Sequence, residues 1–246
     1  MHHFFVDPQN VGEREIVVTG SDVNHMKNVL RLRVGEEILL SDGAGNDYLC
    51  AVAELSQDQV IASIVEHRET RELPAKIWLF QGLPKSDKME MIIQKAVELG
   101  AWAIVPVATK NAVVRLDAKK EENKLRRWQA IAESAAKQSK RGVIPTIEGV
   151  CTFAKAVEQC KDFDLSLIAY ENERGMEATK EAFSSSATAK NIAVFIGPEG
   201  GFDSAEVELA KKAGVIPVSL GARILRTETA GPAMLSALML RLEGGI

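Results

Sequence analysis

The spacing of apolar residues changes character once along this chain, near residue 73, and that change limits the folds open to it. Before it, short apolar runs recur over residues 4–6, 15–18, 37–40, 48–55 and 60–66. Each is strand-sized and bounded by turn-forming residues. Asp42-Gly43-Ala44-Gly45-Asn46 separates two of them and predicts a hairpin turn. One short helix is expected over 21–29. Residues 1–73 therefore read as a small β-rich domain or barrel.

Beyond residue 74, strand runs (77–81, 103–107, 165–170, 192–196, 216–220) alternate with helical patterns. Met89, Ile92, Ile93, Ala96 and Val97 recur at helical spacing within 87–99, and Gly100 closes the pattern. A long amphipathic helix is predicted over 117–138, with Leu125, Trp128, Ile131 and Ala135 on its apolar side. Asp203 followed by Glu206 is a capping box opening a helix over 203–213. An apolar helix is expected over 233–242, where Pro232 fits only a first turn without a kink. Strands alternating with helices predict an α/β domain over 74–246, a mostly parallel sheet covered on both faces. Ser184-Ser185-Ser186-Ala187-Thr188 reads as a surface loop.

Charge divides the chain at the same place. The formal net charge of −4 argues, taken whole, against a nucleic-acid partner. Residues 1–73, however, hold 6 basic and 13 acidic residues, whereas 110–141 hold 10 basic and 4 acidic, a local surplus of +6. No run approaches the ~20 apolar residues of a membrane span, and Met1-His2-His3-Phe4-Phe5 lacks the layout of a signal peptide. Three cysteines, none in C-x-x-C spacing, disfavour a disulfide framework or a cysteine zinc site. A cytoplasmic protein without metal or membrane partner is expected. Trp78, Trp102 and Trp128 read as core, the cysteines as buried small hydrophobes, and His2 and His3 as surface residues.

Ligands of open α/β sheets sit beyond the carboxyl ends of the strands, and three late loops fall there. The first is Tyr170-Glu171-Asn172-Glu173. The second, Gly197-Pro198-Glu199-Gly200-Gly201-Phe202, has the glycines that let a backbone approach a ligand closely, or form a plain tight turn. It matches neither a dinucleotide fingerprint nor a P-loop. The third, residues 220–230, places Arg223, Arg226, Thr227, Glu228 and Thr229 around the apolar pair Ile224 and Leu225. Such charges suit either a surface loop or a segment whose polar groups are aimed at a ligand.

At these loops the chain resembles a known family. Val194-Phe195-Ile196-Gly197-Pro198-Glu199-Gly200-Gly201-Phe202, followed by Ser219-Leu220-Gly221-x-Arg223-Ile224-Leu225-Arg226-Thr227-Glu228-Thr229-Ala230, resembles the SPOUT methyltransferase signature. The likeness is strongest to the RsmE family of bacterial 16S rRNA uridine-N3 methyltransferases. His25-x-x-x-Val29-Leu30-Arg31-Leu32-Arg33-x-Gly35, Lys85-x-x-Lys88-Met89-Glu90 and Glu133-Ser134-x-x-x-Gln138-Ser139-x-Arg141 agree with it in order.

The resemblance implies an N-terminal PUA-like β-barrel and a C-terminal SPOUT α/β domain with a trefoil knot. It implies S-adenosylmethionine held by Ala169, Tyr170, Glu171, Ile196, Gly197, Gly200, Gly201, Ser219, Leu220, Gly221, Ile224, Leu225 and Thr229. It also implies a homodimer through the last helix and a 16S rRNA or 30S-subunit substrate. Within it, Arg226 is expected to stabilise a uridine anion, with Glu199 and Glu228 accepting a proton or orienting Arg226. An alternative makes Arg226 and Glu228 a structural ion pair. Arg31, Arg33, Lys85, Lys88, Arg115, Lys124, Arg126, Arg127 and Arg141 are the expected RNA contacts. Other readings are a related knotted methyltransferase with a different RNA target, a non-catalytic RNA-binding assembly module, and a nucleotide-binding α/β protein.

Overall fold

In a computed structural model describing residues 1–173 and 175–244, the chain forms two compact units. One comprises Met1–Glu72 with Ala136–Ile144, the other Leu73–Ala135 with Pro145–Ile246.

The first unit is built on strands β1 (His2–Phe5), β2 (Glu15–Thr19), β3 (Glu37–Ser41), β4 (Asp47–Leu55) and β5 (Gln59–Arg68), in sheet order β1-β3-β4-β5-β2. Phe4 on one edge strand and Ile16 on the other join the same core as Ile38, Leu40, Val60 and Ala62, so the sheet curls on itself. Side chains alternate inward and outward, as along β2, where Ile16 and Val18 are buried and Glu15 and Thr19 exposed. The predicted hairpin turn forms between β3 and β4. Asp42 accepts from the backbone N–H groups of Ala44 and Asn46 and from the Asn46 amide. The helix expected over 21–29 is a single α-helical turn, α1 (Ser21–Asn24), followed by a wider π turn at His25–Val29.

Two basic or titratable residues sit differently from expectation. His3 is buried, not at the surface. The Lys137 carbonyl can only accept, so His3 Nδ1–H donates to it at 3.3 Å, while Nε2 meets Ser41 Oγ at 2.7 Å, and Ser41 Oγ also contacts Asp47. Burial above all holds the His3 pKa down at about 4. Arg141, expected to meet RNA, is also buried and pairs with Glu72, which additionally accepts from the Gly142 N–H. An arginine so enclosed is a structural charge of this unit.

The second unit has a parallel sheet of β6 (Lys76–Gly82), β7 (Ala101–Ala108), β8 (Thr146–Ile147), β10 (Leu165–Ala169), β11 (Asn191–Ile196) and β12 (Ile216–Val218). The order is β12-β10-β11-β6-β7-β8, with β9 (Cys151–Thr152) also on β7. Its helices are α2 (Lys88–Glu98), α3 (Ala118–Ser139, of which residues 136–139 belong to the first unit), α4 (Phe153–Gln159), α5 (Glu177–Ser185), α6 (Ser204–Lys212) and α7 (Thr227–Leu242). On one face Phe80 stacks on Phe195 at 4.6 Å, and Phe153 of α4 and Val207 and Ala210 of α6 cover them. On the other, α7 lies over Leu79 and Ile196 at Gly231 and packs with α2. This is the predicted two-faced parallel sheet.

The capping box at α6 forms on both sides, Ala205 N–H to Asp203 and Asp203 N–H to Glu206. Three local expectations change. Helix α7 begins at Thr227, so Pro232 lies in its second turn and withholds the N–H that would reach the Glu228 carbonyl. Ser184–Thr188 lies at the surface as expected, apart from buried Ser186 bonded to the Phe183 carbonyl, but it is helical and not a loop: Ser184 and Ser185 end α5 and a 3-10 turn follows. The short α4 and α5 carry too few turns for a periodic signal. The three cysteines and Trp128 are buried, while Trp78 and Trp102 are half-buried. No described helix is long and apolar enough to cross a membrane.

Candidate active site

The loops that follow β10, β11 and β12 converge on one cavity of about 440 Å³, within the range of small-molecule sites. Ala169, Tyr170 and Glu171 come from the first loop, Ile196, Gly197 and Gly201 from the second, and Ser219, Leu220, Gly221, Ile224 and Leu225 from the third. Those eleven residues were all expected there. Gly200 and Thr229 do not line the cavity: the Gly200 carbonyl instead accepts from Asn111, and Thr229 is exposed on the first turn of α7.

Local sequence explains the loop shapes. Gly201 has φ +64°, a left-handed conformation that side chains disfavour. At Gly82, an added Cβ would lie 2.7 Å from the Pro198 nitrogen, so only glycine lets the end of β6 press against the β11 loop. Thr227 then ties the third loop to the second. Its hydroxyl accepts from the Gln81 amide at 2.9 Å and donates to the Gly197 carbonyl at 2.7 Å. Thr179 of α5 does likewise for Ser219, bonding both its N–H and its carbonyl at 3.0 Å. Neither Gln81 nor Thr179 was anticipated. The signal for Gln81 was a lone amide inside an apolar strand; Thr179 lies on a helix whose pattern was not recognised.

At the cavity wall the charges pair in an unexpected way. Lys88 Nζ lies 3.0 Å from Glu199 and 3.3 Å from Glu228. Glu199 also accepts from the Lys85 backbone N–H at 3.1 Å. Partial desolvation pushes the Glu199 carboxyl up, but Lys88 and the backbone N–H groups outweigh it and hold it below the usual carboxylate range. The hydrogen bond to Glu199 raises the Lys88 pKa in turn. Lys88 is thus committed to two carboxylates. Arg226 is exposed and lines the cavity, and its guanidinium makes no hydrogen bond or ion pair among the described residues. The Arg226–Glu228 pair considered from sequence does not form.

The other expected RNA contacts are distributed as follows. Arg31 and Arg33 are exposed in the first unit, Arg31 with φ +54°. In the second, Lys85 and Arg115 are exposed. Arg126 pairs with Glu122 at 2.9 Å, Arg127 with Glu90 at 2.8 Å, and Lys124 lies 4.0 Å from Asp87. These surface pairs are weak enough for a phosphate to replace the carboxylate. No group of metal-ligating side chains occurs among the described residues.

The cavity is large enough for a nucleoside-sized ligand. Ile196, Leu220 and Leu225 offer apolar surface for a purine, and the glycine-shaped backbone leaves room for a close approach.

A family model described as an RNA methyltransferase domain matches residues 71–239. A second, described as an RNA methyltransferase PUA domain, matches residues 18–65. The ribosomal RNA small subunit methyltransferase E of Bacillus subtilis (strain 168) is 39% identical over 231 residues, which is 92% of this chain and 90% of that protein. That of Mesomycoplasma hyopneumoniae (strain 232) is 33% identical over 94% and 95% of the two chains. The crystal structure of a ribosomal RNA small subunit methyltransferase E from Neisseria gonorrhoeae bound to S-adenosyl methionine superposes with a TM-score of 0.83. It is 33% identical, covering 96% of both chains.

Proposed function

The chain belongs to the ribosomal RNA small subunit methyltransferase E family, and on that premise we propose that it methylates N3 of a uridine in small-subunit ribosomal RNA, using S-adenosylmethionine. The observation that carries this reading is Arg226, a guanidinium without a partner at the wall of the cavity formed by the three strand-end loops. S-adenosylmethionine, when bound, supplies the electrophilic methyl group. Residues 169–171, 196–199, 201 and 219–225 would hold it, chiefly through backbone groups.

Uracil N3 carries a proton that must leave before or during methyl transfer. Arg226 donates to the uracil oxygen on which negative charge grows, which lowers the N3 pKa and stabilises the anion. Glu199, held ionised by Lys88, is a weak base and acts as a positioning residue for the loop. Glu228 stands behind Lys88, outside the cavity lining, and positions it. The proton passes to solvent at the open mouth.

A homodimer through α7 accompanies this reading. Met234, Leu235 and Leu238 turn inward, leaving Ala233 and Leu240 exposed along the other side. Leu240→Glu should then shift the protein to monomer in sedimentation measurements.

The test of the activity is direct. Small-subunit RNA from a strain lacking the gene is incubated with protein and S-adenosylmethionine, and its nucleosides are analysed by mass spectrometry. N3-methyluridine is the expected product; methyl on a ribose or another base overturns the reading. Arg226→Ala should lower turnover by about 10²–10³-fold with cofactor binding intact by calorimetry, and Arg226→Lys should restore part of it.

A further inference from the structure

A second cavity, of about 190 Å³, opens beside the first in the same unit. Leu83, Met89, Val114, Leu116 and Trp128 make it apolar, and Lys124 stands on it. Its size suits one flat ring system: an apolar cavity of ~150 Å³ admits a benzene ring. The indole N–H of buried Trp128 finds no acceptor among the described residues. Lys124 Nζ lies 6.0 Å from the Trp128 ring centroid, within cation–π reach.

The surroundings are cationic. Exposed Arg115 lies between the lining residues Val114 and Leu116, and exposed Lys85 between the lining residues Pro84 and Ser86. One carboxylate, Asp87, also lines the slot and lies 4.0 Å from Lys124, so Lys85, Arg115 and Lys124 leave a net positive surplus beside an apolar floor; a base on its phosphate backbone needs both, as protein sites for single-stranded RNA show.

The loop 83–88 is shared between the two cavities. Pro84, Ser86 and Asp87 face the second, while the Lys85 N–H and Lys88 Nζ hold Glu199 at the first. Ser86 has φ +56°, a strained conformation for a residue other than glycine, and such strain concentrates at ligand-binding segments.

We infer that this slot receives one nucleobase flanking the methylated uridine, so that the substrate is gripped at two bases across the 83–88 loop. The inference rests on the RNA-methylating reading above and adds a subsite to it. Val114→Phe fills the slot from a half-buried position, and Leu116→Phe does so independently should the first variant unfold.

The experiment is a cycle between protein and RNA. Substrate RNAs carry one abasic nucleotide at each position flanking the target in turn, assayed with wild type and each variant. One position should raise KM about tenfold in wild type, the loss of one stacked base, with kcat unchanged and no further rise in the variants. Equal tolerance of every abasic position, or a penalty that persists in the filled variants, marks a packing void only and overturns the inference. Should no methyl be transferred, the same cycle read by filter-binding affinity decides the slot separately from the activity.

Discussion

Lys88 Nζ lies 3.0 Å from Glu199 Oε1, which fastens the start of α2 to the loop after β11. That contact closes one wall of the cavity, and the Lys85 N–H bond to the same carboxylate doubles it. Removing the ammonium leaves Glu199 and Glu228 without their shared cation. Lys88→Met should therefore let the loop move, and misplacement of about 1 Å at a reacting centre costs about 10²-fold in rate. Single-turnover methylation of RNA checks this, with Lys88→Arg expected to recover most of the rate. An unchanged rate in Lys88→Met means the pair is only a surface contact.

Gly82→Ala tests the close approach of β6 to the second loop. The new Cβ would meet Pro198 backbone at 2.7 Å, and neither partner is a flexible side-chain tip. Overpacking of this kind costs about 1–3 kcal/mol. The variant should melt earlier and bind S-adenosylmethionine more weakly, by thermal denaturation and calorimetry. Wild-type affinity would show that the loop can shift without deforming the cavity.

The first unit should weaken in mild acid. His3 is held neutral, with a folded pKa of about 4 against 6.5 for the free side chain. The unfolded chain therefore binds this proton first, and stability falls as pH drops from about 6.5 to about 4, by roughly 3 kcal/mol in all. Burial raises the Asp47 pKa and acts in the opposite sense, favouring the folded state as pH falls. The comparison is thus with His3→Gln, whose melting temperature should vary less over that interval. Parallel profiles for the two proteins would exclude His3 as the source.

Basic residues of the 119–141 stretch divide into two kinds. Replacing Lys119, Lys120, Lys124, Arg126 and Arg127 with glutamine should weaken RNA binding and flatten its salt dependence, since each phosphate contact adds about 0.9 to that slope for duplex and 0.7 for single strands. Arg141→Ala should leave that slope alone and destabilise the first unit by about 3–5 kcal/mol, the cost of stranding buried Glu72. Filter binding at several salt concentrations, beside thermal melts, separates the two.

The sequence by itself determined most of the elements and the loops that line the cavity. Alternating burial along β2, the Asp42 turn, the helical spacing of Met89 to Val97 and the Asp203–Glu206 box are local properties. Each depends on residues a few positions apart, so each was legible. The glycine loop and the 220–230 segment likewise announced themselves by composition. Partners were a different matter. Gln81 meets Thr227 across 146 positions and Lys85 meets Glu199 across 114. Only the strand order, which seats β6 beside β11, brings those groups together. The same holds for the charge count. It located a basic stretch at 110–141, but tertiary structure turned Arg141 inward to Glu72, committed Lys88 to two carboxylates and left Arg226 unpaired. Charge is written in the sequence, whereas its availability depends on which distant group folding brings within a few ångströms.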